Sequence, residues 1–166
     1  MNLHRRSVYN ALAFKMGWLS CVLGGNAVGL PIAAVLVAIH LHWLALAGEW
    51  RRLAGFALLG LIVDGGFALA GGFATTAASS WPLPLWLWAL WPLFGTLVDH
   101  SLAGLWRHRW LAMLCGAIGG PLSYYGGARL AQVELAAWLL PGEALAWAAV
   151  CGWLARRHSL RSPTTA

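Results

Sequence analysis

The chain is poor in charged residues, and this scarcity excludes most classes of water-soluble protein. Of its 166 residues, 10% are charged and 60% are apolar, and the mean hydropathy is +0.68. A soluble domain carries about 25% charged residues, and the polar surface here is too small to cover a water-soluble globule. The composition therefore predicts an integral membrane protein whose apolar runs are transmembrane helices.

The chain also lacks the motifs of common catalytic and metal-binding sites. Its three cysteines, Cys21, Cys115 and Cys151, lie in apolar runs without CxxC spacing, which predicts packing residues and no disulfide framework. The sequence contains no nucleophile elbow, HExxH, P-loop or paired-carboxylate motif. It therefore favours a protein without catalytic activity, and it indicates no metal and no cofactor.

Six apolar runs have a length suited to a bilayer core of about 30 Å. They cover residues 8–24, 28–46, 53–73, 85–106, 110–125 and 136–155. If all six cross, nine arginines lie on one side, which the positive-inside rule makes the cytoplasm. These are Arg5, Arg6, Arg51, Arg52, Arg107, Arg109, Arg156, Arg157 and Arg161. The prediction is an all-α polytopic membrane bundle, with six transmembrane helices and both ends in the cytoplasm.

The predicted domain organisation is simple. Residues 1–158 form a single six-helix transmembrane domain, and residues 159–166 form a short cytoplasmic tail. The net charge of +6 comes from basic clusters that flank the apolar runs. It does not form a stripe interleaved with aromatic residues, so no nucleic-acid partner is expected. Membrane lipids are the expected partners, and the sequence leaves open a membrane-protein partner or a homo-oligomer.

Asp64 is the only charged residue of the third run, and it lies near the middle. A carboxylate at such a depth costs about 2.5 to 3.5 kcal/mol on insertion scales. Its own helical face carries small residues, which let another helix approach closely; these are Ala57, Gly60, Ala68 and Gly71. The fifth run has a similar stripe: Ala112, Gly116 and Gly120. Asp64 should therefore face protein or a cavity, and the two stripes could face each other.

Other polar residues at membrane depth extend the list of candidate site residues. Lys15 and Asp99 have similar predicted depths, so they could form an ion pair. The alternative is that the long Lys15 side chain reaches the lipid headgroups. His40 and His42 point to different helix faces, which is not a metal-binding spacing. The segment "GGPLSYYGG" is either a helix end or the lining of a binding site. The candidate residues lining an intramembrane polar site are Lys15, Asp64, Asp99, His100, Ser123, Tyr124 and Glu143.

Four stretches, in order along the chain, carry a resemblance to a known family. They are "YNALAFKMGW", "GLIVDGGFALAGG", "PLWLWALWPLFGTLVDHSL" and "GAIGGPLSYYGG". The chain resembles a bacterial family of small inner-membrane proteins classed as domain of unknown function 2878. Relatives are often encoded near enzymes that modify membrane fatty acids, so the resemblance implies a lipid-linked role. "GLIVDGGFALAGG" is also similar to a segment of rod-shape-determining scaffolds, whose architecture is shared by binding subunits of vitamin transporters.

Three functions remain open from the sequence. The favoured one is an accessory protein in membrane-lipid modification or envelope homeostasis. The second is a small-solute or proton-coupled transporter, or its substrate-binding subunit, with Asp64 in the intramembrane site. The third is a non-catalytic scaffold in which Asp64 and Asp99 only join helices.

Overall fold

The structure is a computed structural model that describes residues 3–74 and 83–161. Its first element is a helical hairpin. The helix α1 (Leu3–Trp43) reverses at Gly25, whose φ of 56° lies in the left-handed region that glycine adopts without steric cost. The first arm (residues 3–24) and the second arm (residues 26–43) touch closely, since a Cβ on Gly29 would lie 2.6 Å from Cα of Cys21. The first two predicted runs are thus two antiparallel helices.

The other regular elements of the described chain are helices and one very short ladder, joined by turns. The elements are α2 (Glu49–Leu69), β1 (Phe73–Ala74), α3 (Leu85–Gly95), a 3₁₀ turn (Leu105–Arg107), α4 (Arg109–Ala131), β2 (Glu134–Leu135) and α5 (Leu139–Arg161). The two strands pair antiparallel, with Phe73 opposite Leu135. The predicted all-α class is confirmed. Helix α5 passes the predicted domain boundary at residue 158, and residues 162–166 lie outside the described residues.

The fourth predicted run, residues 85–106, is not one continuous helix. Helix α3 ends at Gly95, and the Thr96 hydroxyl donates a hydrogen bond to the carbonyl of Leu93 at 2.6 Å. Such a bond offers the backbone an alternative to continuing the helix. Tight turns follow, with the His100 N–H bonded to the Leu97 carbonyl at 3.1 Å. Residues 95–98 are buried, so this irregular backbone is enclosed by protein.

Helices α4 and α5 pack along each other, while α3 packs against both the hairpin and α2. The main core cluster joins residues of α2, α3, α4 and α5, with Phe56, Trp91, Ala112 and Cys151 among its buried members. By length and composition, two helical stretches could cross a membrane, Arg5–Trp43 and Glu49–Leu69. The hairpin, α2, α3 and the α4–α5 pair together place the polar side chains described next.

Candidate functional site

Asp64 is completely buried and accepts hydrogen bonds from two neighbouring helices. The indole N–H of Trp91 on α3 donates to Oδ2 at 2.8 Å. The hydroxyl of Tyr124 on α4 donates to the same carboxylate, 2.7 Å from Oδ1 and 2.9 Å from Oδ2. We call Asp64, Trp91 and Tyr124 the Asp64 cluster. Both donors are neutral, so this carboxylate is held by hydrogen bonds without a salt bridge.

Two stacked tryptophans separate the predicted small-residue stripes. The rings of Trp91 and Trp147 lie 4.9 Å apart and nearly parallel, at 18°. A Cβ on Gly60 would clash with the Trp91 ring, and a Cβ on Gly120 would clash with Trp147. A pair of tryptophan rings therefore lies between the two stripes. The glycines of the stripes provide the space that these rings occupy.

The other members of the stripes have different surroundings. The carbonyl of Ala57 accepts the indole N–H of Trp88 at 2.8 Å, and Ala68 is buried in a second apolar cluster. Gly71 lies in a turn beyond the end of α2, with φ of 75°. It is exposed, and an added Cβ there would meet no atom within 4 Å, so Gly71 does not take part in helix packing. On α4, Ala112 is fully buried, and Gly116 lies against the Trp147 carbonyl of α5.

Glu143 is a second fully buried carboxylate in this part of the molecule. Among the residues that the structure describes, no donor meets full hydrogen-bond geometry to either of its oxygens, and the indole N–H of Trp147, which has no other partner, is the candidate donor beside it. Trp147 lies one turn further along α5, on the same helical face. Pro141 is in the first turn of α5, where a missing N–H costs no helical bond. Pro141 therefore fits the first turn of α5 without kinking the helix.

A strongly apolar cavity of about 260 Å³ lies between the first arm, α3 and α4. Phe73 and Leu135 line it at one end of α4, and Trp106 lines it near the other. Tyr124 also lines it, so the Asp64 cluster touches its wall. Ser123 is in the lining as well. The segment "GGPLSYYGG" thus lies within α4, and part of it faces a cavity.

Glu49 is the centre of a second buried cluster, where the second arm turns into α2. His40 Nε2 lies 2.9 Å from its Oε1, and His100 Nε2 lies 3.2 Å from its Oε2. Arg52, one turn along α2, has Nη2 3.0 Å from Oε1 and also pairs with Asp99. We call Glu49, His40, His100, Arg52 and Asp99 the Glu49 cluster. Unlike Asp64, Glu49 is surrounded by groups that carry or can accept positive charge.

Buried polar groups behind His40 tie this cluster to the first arm. Asn10 is 1% exposed, and its Nδ2 lies 3.4 Å from His40 Nδ1 and donates to the Thr96 carbonyl at 3.1 Å. The Oδ1 of Asn10 accepts a bond from the Ser101 hydroxyl. The turns after α3 therefore hold Asn10, and Asn10 contacts the ring of His40.

The structure groups the sequence-predicted polar residues differently from the expectation. Asp99 pairs with Arg52 and not with Lys15, which is exposed with its ammonium 4.8 Å from the centre of the Trp18 ring. His100 joins Glu49, a residue that the sequence reading missed together with Asn10. The available signal was weak, because Glu49 stands in "GEWRR" among flanking charges and its partners are 9 and 51 positions away.

The comparison with protein families identifies the chain. The model of the family described as "Protein of unknown function (DUF2878)" matches residues 7–153. The chain belongs to this family, as its sequence resemblance indicated. No curated protein and no solved structure matches it.

Proposed function

We propose that the protein crosses the bacterial inner membrane six times, with both ends in the cytoplasm. The reversal at Gly25 supports this count, because it divides a stretch of 39 residues into two arms. As one continuous helix, that stretch would be about 58 Å long, nearly twice the thickness of a bilayer core. Large apolar side chains such as Leu23, Ile62, Leu122 and Leu145 are exposed on different helices, as lipid-facing residues are. Helix α3 reaches only half of the core thickness, and the buried turns after it complete that crossing.

We further propose that the protein binds the acyl chain of a membrane lipid or fatty acid and acts as an accessory in lipid modification. The observation that carries this function is the apolar cavity beside the Asp64 cluster. Its lining is mostly apolar, so it suits the hydrocarbon of an acyl chain. Each CH₂ buried there stabilises binding by about 0.8 kcal/mol. The hydroxyls of Ser123 and Tyr124 are the polar groups at the wall that suit the polar end of such a ligand.

Filling the cavity tests this proposal directly. Gly119 lines the cavity, and a Cβ added there meets no atom within 4 Å, so the Cβ of Gly119→Leu fits without a clash and its side chain narrows the cavity. The probe is a long-chain fatty acid that carries a photo-crosslinking diazirine, added to protein in detergent. We expect at least about tenfold less crosslinking, since displacing two CH₂ groups exceeds 1.4 kcal/mol.

Gly126→Leu is the matched control. Gly126 lies on the same helix and also has open space at its Cβ, but it is outside the cavity lining. This variant should crosslink as the wild type does. Equal crosslinking in both variants would reject the cavity as the binding site. An unchanged fatty-acid and headgroup profile in a deletion strain under stress would reject the role in lipid modification.

Glu143 favours a second candidate function, a proton-coupled transporter. A buried carboxylate without a donor carries a large desolvation cost when ionised, so residues of this kind mark proton pathways in membranes. Together with the Asp64 cluster, it provides two carboxyl groups in one buried region. Under this alternative, Asp64→Asn abolishes uptake or proton coupling while the amount of folded protein stays the same. Uptake that survives the substitution would remove this candidate.

A further inference from the structure

The Glu49 cluster brings two imidazole nitrogens and a carboxylate together from three separate segments. His40 comes from the second arm, Glu49 from the start of α2, and His100 from the turns after α3. One ligand atom from each of these residues lies within 4.8 Å of the others. We propose that these three residues bind a divalent transition-metal ion, although the sequence spacing of the histidines predicts no metal.

The distances suit such an ion. With metal–ligand bonds of about 2.0 to 2.1 Å, neighbouring ligand atoms of a tetrahedral zinc site lie about 3.4 Å apart. His40 Nε2 and His100 Nε2 lie 2.9 and 3.2 Å from the two oxygens of Glu49. These two distances therefore need changes of only a few tenths of an ångström, whereas the widest separation among the three ligand atoms, up to 4.8 Å, has to close by more than one ångström when an ion binds.

The charges of the cluster favour an additional cation. Glu49 and Asp99 contribute two carboxylates, and Arg52 is the guanidinium that contacts both. With neutral histidines, one negative charge is left over around a glutamate whose side chain is fully buried. Buried charges are normally paired or bound to metals. A divalent ion would supply the missing positive charge and leave one positive charge for a bound hydroxide or substrate anion.

Asn10 contacts the ring nitrogen of His40 that does not face Glu49. A metal ligand that binds through Nε2 carries its proton on Nδ1, and a second group holds that nitrogen in place. The amide of Asn10 is at this position, 3.4 Å from Nδ1. An amide offers either a donor or an acceptor. In the hydrogen-bonded arrangement, Nδ2 of Asn10 donates towards Nδ1, which fits a ring that is protonated on Nε2 and bonds Glu49. In the metal-bound arrangement Nδ1 carries the proton, so Asn10 has to turn its oxygen towards it and exchange its bonds to Thr96 and Ser101.

Two histidines and one carboxylate leave at least one coordination position open, as in catalytic zinc sites and in non-haem iron sites. Glu49, Arg52 and Asp99 also line a cavity of about 960 Å³. The carboxylate side of the cluster therefore borders a space that admits water or a small substrate. This arrangement is that of a reactive metal centre, and it does not depend on lipid binding in the other cavity.

Metal titration of the full chain tests the site. The protein is purified in detergent, stripped with a chelator and titrated with Zn²⁺ by calorimetry. We expect one ion per chain. His40→Ala, His100→Ala and Glu49→Gln should each weaken binding at least about 100-fold, because loss of an outer-shell partner alone costs 10- to 100-fold. His42→Ala is the matched control, since His42 is exposed beside Trp43 and should bind zinc as the wild type does.

Spectroscopy on the wild type keeps the proposal testable if an alanine variant fails to fold. Co²⁺ should give visible absorption bands of a site with nitrogen and oxygen ligands, and stoichiometric Zn²⁺ should remove them. Absence of both zinc binding and the cobalt bands in the wild type would overturn the proposal. Wild-type affinity in folded His100→Ala and Glu49→Gln would also overturn it.

Discussion

Asp64 and Glu49 are two buried carboxylates held in opposite ways. Asp64 is fully buried and accepts bonds only from the neutral Trp91 and Tyr124 among the residues described. Glu49 contacts a guanidinium and two imidazoles. The comparison indicates that Asp64 is needed as a hydrogen-bond acceptor, while Glu49 is needed for its negative charge. The predictions below test this difference.

Glu49→Ala should have the largest effect on stability. Removing one partner of a buried ion pair costs about 3 to 5 kcal/mol, because it leaves the other charge without compensation. Here Arg52 would keep only Asp99, and both histidines would lose their acceptor. The measurement is the free energy of unfolding in detergent. Glu134→Ala, at an exposed site, is the control and should change stability by less than about 0.5 kcal/mol.

Asp64→Ala should cost about 3 kcal/mol. The indole N–H of Trp91 and the hydroxyl of Tyr124 would both lose their acceptor in a buried place, and each unsatisfied group costs about 1 to 3 kcal/mol. The same unfolding measurement checks it. A loss as large as that of Glu49→Ala would contradict the ranking of the two sites.

Gly60→Ala should cost about 2 kcal/mol, within the usual range for overpacking a core. The added methyl clashes with the Trp91 ring and displaces it from Asp64 and Trp147. Gly65→Ala on the same helix has open space at its Cβ and should gain about 0.5 to 1 kcal/mol from helix propensity. Equal effects of the two substitutions in thermal unfolding would show that α2 does not pack on Trp91.

Trp88→Phe should have the smallest effect, about 1 kcal/mol. It removes the hydrogen bond to the Ala57 carbonyl and keeps most of the aromatic surface. Thermal unfolding of the variant beside the wild type measures the difference. A loss above about 3 kcal/mol would mean that this tryptophan has a larger role in joining α2 and α3.

The Asp64 cluster was partly predictable from the sequence, whereas the Glu49 cluster was not. A single acid in an apolar run with small residues on its face indicates a buried carboxylate, and Tyr124 stood out in a glycine-rich segment. His40, Glu49 and His100 come together only because the hairpin reverses at Gly25 and α3 ends at Gly95. The break between the first two apolar runs already indicated the reversal at Gly25, but the end of α3 at Gly95 and the turns that place His100 cannot be read from helical periodicity. The small-residue stripes of α2 and α4 do not touch at Gly60 and Gly120, because Trp91 and Trp147 from two other helices fill the space between them.

Isosteric amide exchange at the two acids tests the central difference most directly. Asp64→Asn keeps an acceptor for both donors, because the oxygen that bonds Trp91 also lies 2.9 Å from the Tyr124 hydroxyl, so the free energy of unfolding should change by less than about 1 kcal/mol. Glu49→Gln removes the charge beside Arg52 and should cost at least about 2 kcal/mol. Equal losses in the two variants, or a larger loss for Asp64→Asn, would contradict the account.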